Sequence, residues 1–290
     1  MEIVFHLGAH CTDEGLLLRS ILRNRARLSK AGVLIPGPSR YRELLGAVST
    51  TLRGDYASPD TEEMLVEEIT DDETANRLVL SNDNFLCRPT VAITSEGFYP
   101  KAEKSAWLRR CFPSHDVHFA IALCNPAEFV SNLSSTLNAD ERAELLSSLP
   151  SDQLSWADVI AEIVEANPKS EVTVWAHEDA PFIWPDLMHE LTGFDIMEEL
   201  DGAFDMVEQN LSSDGVTRLR DFLTDHPELS EEQLRKTLVA FLSKHGAAQA
   251  PSSQFLPDGW TDETVTDLEH RYKDDLRRIA AMPQVTLIEP

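Results

Sequence analysis

Apolar runs with polar ends mark the predicted strands of this chain. The run "DVHFAIAL", which begins at Asp116, is nearly continuous until Asn125 and Pro126 end it, as is typical of a strand buried on both faces. Three further segments predict buried strands: Glu2 to Gly8, "RLVLSNDNF" and "SEVTVWAHED". "GVLIPGP" predicts a short extended piece, and "QVTLIEP" is a candidate for a last strand.

Between these strands, apolar residues recur at helical spacing. The stretch from Gly15 to Lys30 aligns Leu17, Ile21 and Leu28, which predicts one helix. Further helices are predicted for Tyr41 to Leu52, Asp60 to Glu73, "AEKSAWLRRCF", the residues from Ala127 onward and "SWADVIAEIVEAN". Since strands and helices alternate, we expect an α/β fold: a mainly parallel sheet with helices on both faces.

The last part of the chain has a different pattern. From about Leu211 it predicts helices alone, including "LSEEQLRKTLVAFL", where Ser230 and Gln233 are spaced for a capping box, and the amphipathic "DETVTDLEHRYKDDLRRI". We therefore divide the chain into an α/β core, residues 1–210, and a C-terminal helical cap, residues 211–290. We expect the cap to pack on the core as part of one structural domain.

The charge balance excludes two classes of partner. The chain has 50 acidic and 25 basic residues, a net charge of −25, which repels nucleic acid and anionic membranes. No stretch approaches the roughly 18 uninterrupted apolar residues of a membrane span, and the first residues lack the pattern of a signal peptide. We expect a cytoplasmic location. The four cysteines form no CxxC pair, which favours reduced thiols.

Basic residues concentrate in one acid-free stretch, which contains Arg19, Arg23, Arg25, Arg27 and Lys30. Arg19 and Arg23 fall one helical turn apart beside apolar residues, so the pattern favours a solvated helix face.

The stretch lies just after "HLGAHCTDEGLLLRSIL", which begins at His6 and has the layout of a phosphate-binding loop: a strand, a turn that contains glycine, and a helix. The longer segment "VFHLGAHCTDEGLLLRSILRNRARLSKAGVLIPGP" resembles the opening of P-loop sulfotransferases. Bacterial members of that family begin with a strand, H-I-G-x-x-K-T-G-T-T-S-L-Q and a "GV.yP" turn. "LVLSNDNF" is similar to the family's S-x-E strand end. "VHFAIALCNPAEFVSNL" is similar to its strand, Arg, Asn-Pro and helical Ser, which hold the 3′-phosphate of phosphoadenosine phosphosulfate.

The resemblance implies donor-binding positions at Gly8, Cys11, Thr12, Asp13, Glu14, Gly15 and Ser131. Several of them depart from the motif. Cys11 stands where the family has its catalytic Lys, Asp13 and Glu14 stand where it has Gly and Thr, and Gly15 replaces a second Thr. Cys124 stands in place of the Arg that contacts the 3′-phosphate, whereas Ser131 agrees with the family pattern.

These departures change how well the loop could bind an anion. An anion binds at a helix N-terminus because free backbone N–H groups and the helix dipole favour negative charge there. Asp13 and Glu14 would supply that charge themselves, with a capping gain of roughly 0.5–2 kcal/mol, and would repel a second anion. We therefore predict a degenerate donor site and no cofactor. The alternative is a donor site for phosphoadenosine phosphosulfate that Arg19 or Arg23 has rebuilt.

Two functions follow from this. The first is a non-catalytic binding or structural role toward a carbohydrate, small molecule or protein. The alternative is a sulfotransferase or related transferase that acts on a carbohydrate or small-molecule hydroxyl. For that enzyme, Asp83 at the S-x-E position is the candidate general base and Glu96 a second choice. An Asp in "SNDN" more commonly caps a turn.

Metal binding is a further alternative, because His6, His10, Cys11, Asp13 and Glu14 are all ligand types. The predicted strand ends near the first of them, so the sequence pattern does not show that these five side chains converge.

Cys11 at a helix N-terminus is also a candidate reactive thiol. The neighbouring carboxylates would raise its pKa, and we therefore expect an ordinary residue in the turn.

Overall fold

The computed structural model describes residues 1–70, 75–147, 149–195, 197–247 and 255–290. Its strands are β1 Glu2–His6, β2 Val33–Leu34, β3 Arg77–Ser81, β4 Ile93–Thr94, β5 Gly97–Phe98, β6 Asp116–Leu123, β7 Val172–Ala176 and β8 Val285–Ile288. In the described residues, six of them form one parallel sheet in the order β2-β3-β1-β6-β7-β8. Strands β4 and β5 form a separate antiparallel hairpin.

Helices surround this sheet. They are α1 Leu16–Arg23, α2 Arg25–Lys30, α3 Arg42–Leu52, α4 Pro59–Ile69, α5 Ser105–Arg110, α6 Pro126–Thr136, α7 Ala139–Ser147, α8 Trp156–Ala166, α9 Ala180–Thr192, α10 Asp205–Gln209, α11 Ser213–Asp225, α12 Glu231–His245 and α13 Asp262–Ala280. No helix in this described part of the chain has the length and apolar character needed to cross a bilayer.

Both faces of the sheet are buried, which confirms the predicted α/β class. On β1, Ile3 and Phe5 pack into one core cluster with Phe119 of β6, whereas Val4 packs into a second cluster with Trp184 of α9. The central strands therefore carry apolar residues on both faces, which is the physical reason for the long apolar runs in the sequence.

The sheet reverses its direction of growth at β1. After β1 the chain moves to β2 and then β3 on one side, and β6 later pairs with the opposite side of β1. In open parallel sheets, such a reversal leaves a crevice at the carboxyl ends of the strands, where ligands commonly bind. The loop that follows β1 lies at this point.

The single helix predicted from Gly15 to Lys30 is wrong, because the structure has two helices that break at Asn24. The Asn24 side-chain amide donates to the Ser20 carbonyl at 3.1 Å and to the Asp201 carbonyl at 2.9 Å, and its oxygen accepts from the Asp201 N–H at 2.9 Å. Asn24 is 3% exposed, so a distant segment fixes the break. The prediction for Asp60 to Glu73 becomes α4, which ends at Ile69, and residues 71–73 lie outside the described residues.

The C-terminal part of the chain contributes both to the sheet and to a separate cluster. Helices α11 and α12 contact each other around a small core with Leu219 and Leu238, and the predicted capping box of Ser230 and Gln233 is confirmed. Helix α13 instead packs on α6 and α8, and β8 confirms the candidate last strand by pairing with β7. The boundary between residues 210 and 211 stays a prediction.

Candidate functional site

Residues 7–15 form a compact turn between β1 and α1. Cys11, Glu14 and Gly15 have φ values of 61°, 50° and 73°, in the left-handed region. The Thr12 hydroxyl donates to the Ala9 carbonyl at 2.8 Å, which closes the turn from inside. The predicted layout of strand, turn and helix is therefore present.

Asp13 occupies the start of α1 with its own carboxylate. The Leu17 N–H donates to Asp13 Oδ2 at 2.8 Å and the Gly15 N–H to Oδ1 at 3.3 Å, and Asp13 is 6% exposed. These are among the N–H groups that a helix N-terminus offers to an anion. Glu14 does not share the role, because its side chain is exposed and forms no hydrogen bond to the helix. Only one of the two acids expected to cap the helix does so.

Asp83 lies against Gly8 at the carboxyl end of β3. A Cβ atom added to Gly8 would lie 3.0 Å from Asp83 Oδ1 and 3.2 Å from Asp83 Cα, and Gly8 has a φ of 75°, so both space and conformation require glycine there. No hydrogen bond from the described residues reaches the Asp83 carboxylate. The turn is capped by Asn82 instead, whose Oδ1 accepts from the Asn84 N–H at 3.2 Å.

Burial raises the pKa of the Asp83 carboxyl, and the negative charge of Asp13 raises it further. His6, His10 and Arg42 act in the opposite direction. Arg42 is held close by two hydrogen bonds to the Ser81 carbonyl, at 3.1 and 2.9 Å. The two carboxylates thus interact across the crevice, which is the arrangement that adjusts a base toward neutral pH.

Tyr99 joins the site although the sequence analysis did not single it out. Its hydroxyl accepts the His10 backbone N–H at 3.0 Å and lies 2.8 Å from His10 Nδ1. Burial raises the pKa of Tyr99 and lowers that of His10. The phenol therefore keeps its proton and donates to Nδ1, so the neutral imidazole carries its proton on Nε2, 3.4 Å from Asn84 Oδ1. Tyr99 lies 89 residues from His10, and no local pattern connects them.

The Cys11 thiol is protonated in this environment. Burial raises its pKa to about 12, with smaller contributions from the negative charges of Glu14 and Asp83. The sequence analysis expected neighbouring carboxylates to raise the pKa of Cys11, and the shift has this direction. The second carboxylate that contributes to it is Asp83, in place of Asp13.

Three of the five residues considered as metal ligands have separate partners. His6 Nδ1 lies 3.0 Å from Ser81 Oγ, His10 contacts Tyr99, and Asp13 binds the N–H groups of α1. In the described residues, the group of potential ligands whose atoms lie within 4.8 Å of one another is Cys124, Glu128 and Glu178, and it includes none of the five.

That group lies where the resemblance implies a 3′-phosphate site. Burial raises the pKa of the Cys124 thiol, and the charges of Glu178 and Glu128 add to this. Glu178 accepts the Asn125 N–H at 2.6 Å and the Tyr272 hydroxyl at 3.1 Å. These carboxylates make the position negative, opposite to the arginine of the family pattern.

Ser131, which agrees with the family pattern, is 3% exposed. Its hydroxyl accepts the Phe255 backbone N–H at 3.2 Å, a bond within the chain itself. This bond uses a lone pair of the Ser131 oxygen and leaves its O–H, the donor that a phosphate would need, unused by Phe255.

Two of the arginines after the loop form ion pairs with acids between residue 198 and the first residue of α10. Arg23 lies 2.7 Å from an Asp205 oxygen and Arg27 lies 2.8 Å from a Glu198 oxygen. Arg19 instead turns back and donates to the Glu14 carbonyl at 2.9 Å. Of the two arginines considered for a rebuilt donor site, only Arg19 reaches the loop.

Glu96, the second candidate base, lies in the turn between β4 and β5. It lines a cleft of about 720 Å³ together with Tyr99, Arg88 and Lys101. Through Tyr99, this cleft adjoins the loop after β1.

No protein-family model matches this chain, and no curated protein matches it. A crystal structure of a sulfotransferase from Alicyclobacillus acidocaldarius is 14% identical, covers 83% of this chain and 93% of its own, and has a TM-score of 0.40.

Proposed function

We propose that this chain is a sulfotransferase-like protein whose donor-nucleotide site is closed, and that it binds a carbohydrate, small molecule or protein without group transfer. The observation that carries the proposal is the Asp13 carboxylate, which accepts the N–H groups of Gly15 and Leu17. A phosphosulfate at this helix end would have to displace it. At 4 Å and an effective dielectric near 20, the repulsion between two unit negative charges is about 4 kcal/mol.

The second half of the donor site supports the same proposal. Cys124 has the carboxylates of Glu128 and Glu178 beside it. A nucleotide with a 3′-phosphate would therefore meet negative charge at both of its phosphate positions.

Calorimetric titration of the unmodified protein with adenosine 3′,5′-bisphosphate, at low and at moderate salt, tests the proposal. This nucleotide is the by-product of sulfuryl transfer from phosphoadenosine phosphosulfate. We expect no heat of binding up to millimolar ligand. Micromolar binding would contradict a closed site.

Variants then test whether Asp13 closes the site. The triple variant Cys11→Lys, Asp13→Gly, Glu14→Thr should gain affinity for adenosine 3′,5′-bisphosphate, because it frees the N–H groups of α1 and adds a cation. Glu14→Thr alone is the matched control and should gain little, since Glu14 is exposed and does not bond the helix. A triple variant that stays folded and gains nothing would mean that the acids do not close the site.

A second candidate function is a transferase, which one observation favours: the Asp83 carboxylate is free of hydrogen bonds from the described residues, and its pKa is raised. Asp83 would take the proton of an acceptor hydroxyl while the sulfuryl group passes from phosphoadenosine phosphosulfate to that oxygen and adenosine 3′,5′-bisphosphate leaves. Asp83→Asn should then retain nucleotide binding and lose transfer. Loss of both, or of neither, would contradict this role.

A further inference from the structure

The cleft of about 720 Å³ beside the loop has a size that suits a small-molecule ligand. Its walls come from α3, from the segment after β3, from the β4–β5 hairpin and from residues 99–104. Tyr99 lines the cleft and also contacts His10 of the loop. The cleft and the loop therefore share one residue, and both lie at the carboxyl-end side of the sheet.

The charges in the cleft oppose those of the whole chain. Arg88, Lys101 and Lys104 line it, against the single carboxylate of Glu96. The chain as a whole has 50 acidic and 25 basic residues, so a patch of average composition would be negative. Three cations and one carboxylate are the reverse of that average.

None of these three cations forms an ion pair with a residue that the structure describes. Arg88 and Lys101 are exposed and have no carboxylate partner, and the Lys104 ammonium lies 4.8 Å from the ring centroid of Trp107. Several arginines elsewhere are ion-paired, as in Arg77 with Glu2 at 2.6 Å and Arg220 with Glu208 at 2.5 Å. In a chain with an excess of acids, unpaired cations that converge on a cleft are placed to meet a negative charge from outside.

We propose that this cleft binds a small anionic ligand of about the size of a disaccharide, and that Arg88 and Lys101 bind its carboxylate or phosphate group. Arg88 offers a planar fork of N–H donors that suits either group, and Lys101 offers a point charge. The hydroxyls of Thr50, Thr94 and Ser95 also line the cleft and can bond the neutral hydroxyls of such a ligand. Glu96 disfavours a ligand that is negative at every position.

The test uses matched probes on the full chain. Trehalose 6-phosphate and neutral trehalose differ only in the phosphate, and digalacturonate supplies a carboxylate in a molecule of similar size. Calorimetry measures each probe against the unmodified protein, the double variant Arg88→Gln, Lys101→Gln, and the control Lys169→Gln. Lys169 is an exposed lysine on another part of the surface, so its replacement makes the same kind of change away from the cleft.

We expect at least one anionic probe to bind, trehalose to bind at least about tenfold more weakly, and the double variant to lose at least about tenfold in affinity. The control should bind as the unmodified protein does. Which anionic probe binds more tightly distinguishes a carboxylate ligand from a phosphate ligand. Three results would each overturn the proposal: no binding of either anion at millimolar concentration, equal binding of trehalose, or unchanged binding by the double variant.

This proposal does not depend on a closed donor site. If adenosine 3′,5′-bisphosphate binds the unmodified protein and the double variant no longer binds it, the nucleotide occupies the cleft. The loop can then still be closed. The same nucleotide bound equally by the double variant would indicate the loop, and the proposed function would then fail while the cleft proposal stands on its own probes.

Discussion

At the residue scale, Asp83 is the position where chemistry and stability conflict. Its carboxylate is partly buried, faces Asp13 and accepts no hydrogen bond from the described residues. A group of this kind is costly to the folded state when ionised, and the same features suit a base. Gly8 is fitted to it, since any side chain there would meet the Asp83 oxygen at 3.0 Å.

Asp83→Asn should therefore stabilise the protein at pH 7. The folded-state pKa is raised above the ordinary value of 3.8, so the stability linked to the protonated carboxyl is complete below that value and is lost as pH rises through the folded pKa. Asparagine cannot ionise, so the variant does not lose this stability at pH 7. The difference in unfolding free energy between the variant and the unmodified protein should shrink as pH falls toward 3.8. Urea unfolding at pH 7, 5 and 4 measures it, with exposed Glu14→Gln as control. A variant that is less stable at pH 7 would contradict the interpretation.

At the scale of elements, α13 is tied to α8 by a carboxylate that caps a helix other than its own. Asp275 is 5% exposed and accepts the N–H groups of Trp156 at 2.7 Å and Ala157 at 3.3 Å, as well as the Ser155 hydroxyl at 3.2 Å. Since β8 follows α13, this contact also fixes the entry to the last strand of the sheet.

Asp275→Ala should destabilise the fold by about 2–4 kcal/mol, because it leaves buried N–H groups at the start of α8 without a partner. Its neighbour Asp274 is exposed and, among the described residues, pairs with Arg277 alone, so Asp274→Ala is a matched control with an expected change within about 0.5 kcal/mol. Denaturant unfolding of both variants measures the difference. Equal losses would mean that the cap does not hold α13 in place.

At the scale of the whole molecule, the net charge of −25 sets a general repulsion within the folded state. Its effect is uneven, because the cleft with Arg88 and Lys101 is positive while the Cys124 position is negative. The molecule thus separates the two signs of charge on this side of the sheet.

Salt should stabilise this protein. The screening length falls from about 30 Å at 0.01 M salt to about 10 Å at 0.1 M, so repulsion between exposed carboxylates weakens. The melting temperature should rise by a few degrees between low and moderate NaCl, and KCl should give the same curve because screening is not specific to the cation. Scanning fluorimetry measures it, and a melting temperature that falls with added salt would contradict the argument.

The sequence by itself determined the α/β class and the position of the loop, because both depend on short-range patterns. Continuous apolar runs followed from burial on both faces of the sheet, and the capping box of Ser230 and Gln233 needs residues only three positions apart. The contact of the Asp13 carboxylate at the start of α1 is also short-range, since its partner Leu17 is four residues away.

Only the tertiary structure decided the rest of the site, because its contacts join residues that are distant in the chain. Asn24 breaks a predicted helix through Asp201, Tyr99 orients His10, and the Phe255 N–H donates to the hydroxyl of Ser131. The different roles of Asp13 and Glu14 likewise follow from burial of one and exposure of the other. Local propensity carries no term for such contacts, so the sequence located the loop, and packing decided which charges face it.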